Sequence, residues 1–154
     1  MNDARTGEFP PEALAAFTAH QEQYNQDPEA AHMWDPAVIG VPGGPVPCLL
    51  LVHVGRKSGQ KLECVLQYYK LGEEIAIVAS KGGMPHHPVW YLNLEATPDC
   101  EVQIASERRK VRARTTTGQE RSDWWRVITA EQPQQLEYEQ STSREIPVVV
   151  LESR

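Results

Sequence analysis

Two glycine-flanked turns of this sequence carry cations at spacings that suit an anionic ligand. The first, "GRKSGQ", places Arg56, Lys57 and Ser58 between two glycines, and the second, "VASKGG", places Ser80 and Lys81 at the end of an apolar run. Arginine offers a planar fork of N–H donors and lysine a point charge, which are the usual partners of phosphate and carboxylate groups. Exposed turns with solvated charges contain the same residue types. The two motifs therefore indicate an anion site. Whether they lie close together depends on how the other elements fold.

The remaining candidate chemistry is weaker. The adjacent pair His86-His87 has no companion ligands at metal spacing, so we predict no metal site, and His87 before Pro88 predicts a cap at a helix start. No glycine pattern matches the nicotinamide-binding or phosphate-loop motifs, and no G-x-S-x-G is present. Cys64 lies within a strand pattern, which favours an inert thiol. Tyr138, on a short polar segment, fits either a proton donor or a packing residue.

Composition limits the class of protein. With 154 residues, 40% of them hydrophobic, the chain is expected to form one globular body. Three scattered cysteines and the lack of an apolar stretch or leader pattern predict a cytoplasmic protein without disulfides or a membrane span. A net charge of −6 disfavours nucleic acid as a partner. Residues 1–47 hold one basic and seven acidic residues, so the rest of the chain is neutral with local basic clusters.

Hydrophobic patterning predicts a mainly β fold with flanking helices. We predict an acidic N-terminal helix (residues 10–25) and proline-rich linker within residues 1–47, and a β domain over residues 48–154. Strands are expected at residues 48–54, 62–71, 73–80, 100–106, 109–118 and 145–153, and helices at 88–96, 119–133 and 134–143. Trp124 and Trp125 are expected to pack rather than to bind a ligand. Because strands and helices do not alternate, an antiparallel barrel fits better than a parallel sheet.

Four linked motifs resemble one known family. "GRKSGQ", "VASKGG", "HPVWYLNLEATPDCEVQ" and "TSREIPVVVLE" occur in this order within residues 46–152. Together they resemble the deazaflavin-dependent nitroreductases, split β-barrel oxidoreductases of actinobacteria. The resemblance implies a split barrel that binds coenzyme F-420, which has a planar ring, a phosphate and a poly-glutamate tail. It also implies hydride transfer from the reduced cofactor to a small electron-poor acceptor such as a quinone, an enone or a nitro compound.

The resemblance further implies roles for particular residues. The first turn would hold the phosphate and tail, residues 62–67 would run beside the ring through their main chain, residues 78–81 would line the groove, and residues 89–93 would close it. Ser80 would bond the ring, and Tyr138 would contact the substrate or donate a proton. The implied cofactor contacts are Arg56, Lys57, Ser58, Leu62, Glu63, Cys64, Val65, Leu66, Gln67, Val78, Ala79, Ser80, Lys81, Val89, Trp90, Tyr91, Leu92 and Asn93.

The sequence departs from the family pattern in two places. Members often have Pro-Arg and then Ser-Pro or Thr-Pro after the first motif, whereas residues 61–65 here read "KLECV", which puts Glu63 near the anionic tail. Gln132 and Gln135 stand where tyrosines occur in the nitroreductase, which predicts weak activity on nitroimidazoles and leaves quinone or enone reduction open.

Three alternatives stay open at this point. The split barrel also serves FMN enzymes, so FMN can replace the deazaflavin. A non-catalytic carrier of the deazaflavin or of a lipid fits the missing tyrosines. Peripheral membrane association is not favoured, because an anionic leaflet repels the acidic N-terminal segment. The sequence leaves the natural acceptor and the oligomeric state open.

Overall fold

Eight strands form one antiparallel sheet flanked by helices, which confirms the predicted fold class. The computed structural model describes residues 9–154; residues 1–8, part of the predicted acidic region, lie outside the described residues. The strands are β1 (Met33–Trp34), β2 (Val46–Val54), β3 (Lys61–Gln67), β4 (Tyr69–Leu71), β5 (Glu74–Val78), β6 (Asp99–Ile104), β7 (Glu107–Thr115) and β8 (Val148–Ser153). The helices are α1 (Pro11–Gln26), α2 (Pro28–Ala31), α3 (Val89–Ala96), α4 (Gly118–Glu131) and α5 (Gln134–Gln140).

The main departures from the predicted elements occur in two segments. The single strand expected over residues 62–71 is two strands, because the chain leaves β3 at Gln67 and resumes as β4 at Tyr69. The predicted linker contains α2, β1 and a 3-10 turn at Pro36–Ile39. Asp27 and Asp35 explain the two helical turns, since their carboxylates accept hydrogen bonds from the N–H groups of Ala30 (3.3 Å) and Ala37 (2.9 Å).

The sheet curls into a barrel that stays open along one side. Its order is β1-β2-β6-β7-β8-β5-β4, and β3 pairs with β2. Within residues 9–154 the second edge of β3 has no strand partner, and β4 covers only Glu74–Ala76 of β5. We call the opening between β3 and the end of β5 (Ile77–Val78) the split. Strands β3, β4 and β5 follow one another along the chain. Both sides of the split, β3 and the end of β5, therefore belong to one continuous stretch of chain.

Alternating side chains give the sheet two apolar faces. Helix α3 fills the inside of the curl, whereas α1 and α4 cover different parts of the outside. The inner cluster includes Leu49, Leu51, Ile77, Trp90, Tyr91, Leu94, Val102 and Val149. Trp124, fully buried, packs with Ile128 against Val148 and Val150, and Trp125 is partly buried at the same cluster, which confirms that both tryptophans pack.

The N-terminal helix is part of the barrel's packing. Tyr24 is fully buried against Leu50 and Val52, and its hydroxyl donates to the carbonyl of Cys48 (2.9 Å) and accepts from the N–H of Ala105 (2.9 Å). The division of the chain at residue 47 stays a prediction. In the described part of the chain no helix is long and apolar enough to cross a bilayer.

Candidate active site

The two basic motifs lie at the same end of the barrel. Four successive antiparallel pairings connect β2 to β5 through β6, β7 and β8, so β2 and β5 run in the same direction. The turn at residues 55–60 follows β2, and the loop at residues 79–88 follows β5. Residues 142–147 enter β8 at this end, since Val148 pairs with Val78. We call these three segments the upper rim; all four motifs of the sequence reach it.

The upper rim has cations without carboxylate partners. Among residues 9–154, Arg56, Lys57 and Lys81 of the rim form no salt bridge, and neither does Lys61 at the start of β3, directly after the first turn. By contrast, the guanidinium of Arg114 on the outer sheet face lies within 2.6 to 3.9 Å of three carboxylates. Uncompensated positive charge at one end of a neutral body attracts anions.

The first turn is closed by its own hydrogen bonds and is attached to helix α3. The N–H of Gly55 donates to the carbonyl of Gln60 (2.8 Å), and the hydroxyl of Ser58 accepts from the N–H of Gln60 (3.2 Å). Asn93, which is 1% exposed, accepts from the main-chain N–H of Arg56 (3.0 Å) and from its guanidinium (3.2 Å). The Asn93 amide therefore positions the turn, and its other end contacts Nδ1 of His53 (3.1 Å).

The second loop has an unusual backbone. Lys81, Gly82 and Gly83 have φ of +44°, +62° and +79°, a left-handed conformation that a lysine rarely adopts. A Cβ on Gly83 would lie 2.7 Å from the carbonyl oxygen of Tyr138, so this glycine allows close packing on α5. The Ser80 side chain is buried, and its hydroxyl forms no hydrogen bond with the residues described here. That hydroxyl is free to bond a ligand.

Strand β3 presents two different faces beside the split. Cys64 and Leu66 pack toward the inner cluster, whereas Val65 contacts the cluster under α1. Glu63 lies on the α1 side, where its carboxylate accepts from Asn25 (3.2 Å). Burial, and secondarily Glu63, raises the pKa of Cys64 to about 12, so the thiol stays protonated at neutral pH and is inert. The unpaired second edge of β3 offers main-chain donors and acceptors to a ligand.

Helix α3 contributes mostly packing. Trp90 and Tyr91 are 8% and 6% exposed and belong to the inner cluster, and the Tyr91 hydroxyl bonds the Thr115 hydroxyl (2.9 Å). Val89 is 55% exposed at the rim, and Leu92 is half-buried. Of the predicted contacts on this helix, Val89 has the freest surface.

Tyr138 lines a cavity of about 250 Å³ next to the second loop. Its walls are Ile39, Gly40 and Val41 from the N-terminal segment, Gly82 from the loop, and Gln134, Glu137, Tyr138 and Ser141 from α5 and its end. The Tyr138 hydroxyl has no hydrogen bond to a residue of the described range. Burial raises the pKa of Tyr138, with Glu137 adding to the effect.

The two glutamines at the predicted substrate side face the sheet. Gln132 and Gln135 are 6% and 8% exposed. Their amide nitrogens lie 3.5 Å from Oε1 of Gln67 and 3.4 Å from the hydroxyl of Tyr69, distances at the long end for hydrogen bonds. They therefore cover the side of the split formed by the end of β3 and the start of β4.

The comparisons with known proteins agree with this geometry. Residues 18–153 match the family model described as F420H(2)-dependent quinone reductase. An F420H(2)-dependent quinone reductase of Mycobacterium tuberculosis is 39% identical over 118 residues, which are 74% of this chain and 78% of that protein. A solved F420-H2 dependent reductase is 38% identical, with 69% of this chain and 94% of that chain covered and a TM-score of 0.64. A solved chain described as a domain-swapped dimer is 31% identical, with 93% and 100% covered and a TM-score of 0.66.

This chain belongs to the F420H(2)-dependent quinone reductase family.

Membership in the quinone reductase family confirms the predicted resemblance and the split-barrel fold. The residues present fit the cofactor that the family name carries. Arg56, Lys57 and Lys81 of the upper rim have no carboxylate partner among the described residues, and such cations suit a phosphate and a carboxylate tail. Within residues 9–154 the split has a strand edge without a strand partner, and the Ser80 hydroxyl at the rim has no hydrogen bond, which suits a planar heterocycle.

One expectation about this site is wrong, and one contributor was missed. His87 does not cap α3, because Pro88 is the residue before the helix and no side chain caps it. The imidazole instead packs at a tilt against the Tyr91 ring, at 5.0 Å between ring centres, and its Nδ1 lies 3.0 Å from the Arg144 guanidinium. Arg144 was missed because a single arginine in the "TSREIP" motif gives no local sign of what it bonds. In the described range no three His, Cys, Asp or Glu residues are grouped to hold a metal.

Proposed function

We propose that this protein is an oxidoreductase that uses reduced coenzyme F-420 to reduce a small electron-poor acceptor, with quinones as the preferred class. One observation carries the proposal. Strand β3 and the end of β5 flank the split, cations without a carboxylate partner in the described chain lie at its rim, and the cavity of Tyr138 lies next to the second rim loop. Family membership supports the same function.

In this proposal the upper rim binds the anionic part of the cofactor. Arg56, Lys57 and Lys81 contact the phosphate and the carboxylates of the tail. The Asn93 side chain, which accepts two hydrogen bonds from Arg56, keeps the first turn in place. A charge-assisted hydrogen bond contributes about 1.5–3 kcal/mol where water is excluded, and exposed pairs contribute about 1 kcal/mol or less. Since these cations are mostly exposed, several weak contacts provide the affinity. Glu63 does not oppose them, because its carboxylate is on the α1 side of β3.

The split orients the planar ring. The free edge of β3 and the Ser80 hydroxyl supply hydrogen bonds to the ring. The aromatic side chains of α3, Trp90 and Tyr91, pack inside the barrel. When bound, the deazaflavin supplies the hydride. The raised pKa of Tyr138 keeps its hydroxyl protonated at neutral pH, so Tyr138 can donate a proton to an acceptor oxygen in the adjacent cavity.

Binding of oxidised F-420, followed by its fluorescence at low and high salt, tests this proposal. Replacing Arg56 and Lys57 together by glutamine should weaken binding and reduce its salt dependence, since two of the rim charges are lost. The matched control is the double replacement of Lys70 and Lys110 by glutamine. Both control lysines are exposed and have no salt bridge within residues 9–154, but neither lies on the rim. Equal effects of the two double variants would contradict a rim site.

The alternatives make different predictions in the same experiment. An FMN enzyme would bind FMN more tightly than F-420 and would purify with a yellow flavin. A carrier would bind F-420 but would show no turnover with a quinone or an enone. The cytoplasmic location predicted from composition is part of this proposal, and separation of soluble and membrane fractions from cells tests it.

A further inference from the structure

Arg144 makes an unusual set of contacts with the second rim loop. It lies just before β8, and its guanidinium donates hydrogen bonds to the main-chain carbonyls of Ala79 (3.1 Å), Ser80 (2.8 Å) and Met84 (3.0 Å). The same group lies 3.0 Å from Nδ1 of His87. All four partners belong to loop 79–88, so one side chain joins the beginning, the middle and the end of that loop.

The loop needs such a support. Lys81, Gly82 and Gly83 are successive residues with positive φ, a backbone that is costly for lysine and entropically unfavourable for glycine. Local bonds within the loop, from Gly83 to Ser80 and from Met84 to Lys81, span only three residues each. Arg144 itself has no carboxylate partner in the described chain, so its hydrogen-bonding capacity is directed at the loop.

We propose that Arg144 is a positioning residue for the cofactor site. By bonding three carbonyls of loop 79–88, it selects the loop conformation in which Ser80 and Lys81 are presented to the split, and it thereby sets the affinity for coenzyme F-420. Arginine suits this role because its planar fork donates in several fixed directions, whereas lysine has a single compact ammonium group. The inference rests on the proposed function, since it concerns the same site.

The test compares Arg144→Lys with wild type and with Arg154→Lys. Arg154 is the control, because its guanidinium also donates to main-chain carbonyls, those of Val111 on β7 (2.8 Å) and Cys100 on β6 (2.9 Å), away from the loop. It also lies 3.7 Å from the carboxylate of Asp99. Two properties are measured: hydrogen exchange of the amides of residues 79–88 without ligand, and the Kd for F-420 at two salt concentrations.

We expect Arg144→Lys to remain folded, with faster hydrogen exchange confined to residues 79–88. The Kd for F-420 should rise about tenfold, which is the change expected when the binding-competent conformation of the loop falls to a tenth of the population. The salt dependence of binding should be unchanged, because the rim charges remain. Arg154→Lys should alter neither property. A guanidinium salt at millimolar concentration should partly restore binding to Arg144→Ala and should leave the binding of Arg154→Ala, which is expected to match wild type, unchanged.

Two results would overturn the inference. In the first, Arg144→Lys binds F-420 with the wild-type Kd although the amides of the loop exchange faster. In the second, the Kd rises although the amides of the loop exchange as in wild type. Failure of wild type to bind F-420 is a separate outcome: it rejects the proposed function, while the exchange data still show whether Arg144 determines the loop conformation.

Discussion

Replacing Asn93 tests how the first cation turn is held. The side chain is 1% exposed and takes part in three contacts, with the Arg56 N–H at 3.0 Å, the Arg56 guanidinium at 3.2 Å and His53 Nδ1 at 3.1 Å. Asn93→Ala removes all three. We expect a less stable protein whose turn at residues 55–60 is no longer attached to α3.

The magnitude follows from the contacts. Each hydrogen bond contributes about 0.5–1.5 kcal/mol, and the buried His53 acceptor left without a partner adds to the loss, so Asn93→Ala should cost about 3 kcal/mol. For a protein of this size that lowers Tm by about 6–12 °C. Asn25→Ala is the matched control, since exposed Asn25 has a single 3.2 Å bond to Glu63. That control should cost less than about 1 kcal/mol.

The charged replacement separates stability from binding. In Asn93→Asp the carboxylate still accepts from Arg56 but also neutralises it, so one free cation of the upper rim is lost. We expect weaker F-420 binding with a smaller salt dependence, while the turn stays attached. Urea unfolding and fluorescence titration measure the two effects. Asn93 does not hold the turn if Asn93→Ala unfolds at the same urea concentration as Asn25→Ala, and Arg56 does not bind the cofactor if Asn93→Asp binds F-420 as wild type does.

Three further predictions concern the second loop and α5. Gly83→Ala should destabilise the protein by more than about 2 kcal/mol, since a Cβ would lie 2.7 Å from the Tyr138 carbonyl oxygen. Gly59→Ala is the control, because Gly59 has a similar φ of +71° but open space around it, so its cost is that of the backbone conformation alone. Urea unfolding measures the loss of stability in both variants. Tyr138→Phe should leave the F-420 Kd unchanged and lower kcat with a quinone; a normal kcat would remove the proton-donor role. Burial, and secondarily Arg144, lowers the pKa of His87 below its usual value of 6.5. Between pH 6.5 and the lowered pKa of the folded protein, the unfolded chain binds more protons than the folded one. The free energy of unfolding should therefore fall as the pH drops through this window. His87→Asn should reduce that slope in urea unfolding at a series of pH values, and an unaltered slope would contradict it.

The sequence could predict what depends on local pattern. The aliphatic run at β2, the proline that starts α1 and the apolar alternation of β7 give elements near their observed positions. The break between β3 and β4 was not predictable from local pattern, because Tyr68 and Tyr69 continue the same apolar run. The break marks a change of partner strand, since Gln67 pairs with Cys48 of β2 and Tyr69 pairs with Ala76 of β5.

The parts of the site that sequence reasoning could not specify depend on long-range contacts. A cofactor contact of Asn93 stays a prediction, and no local pattern indicated that its amide contacts Arg56 and His53, 37 and 40 residues away. Arg144 bonds a loop about 60 residues earlier, and nothing in its neighbourhood indicates this partner. Types and order of the motifs therefore predict the family and the cationic character of the rim, while the division between ligand contacts and supporting residues requires the fold.

Oxidation of reduced F-420 by a quinone shows whether this protein is a reductase. Purified protein is mixed with reduced F-420 and menadione without FMN, and the return of F-420 fluorescence is followed against a control without protein. We expect saturable, multiple-turnover oxidation that slows in the Arg56 and Lys57 double variant through a raised KM for the cofactor. Fluorescence that returns no faster than in the control, despite saturable F-420 binding, would contradict a reductase and favour a carrier of the deazaflavin.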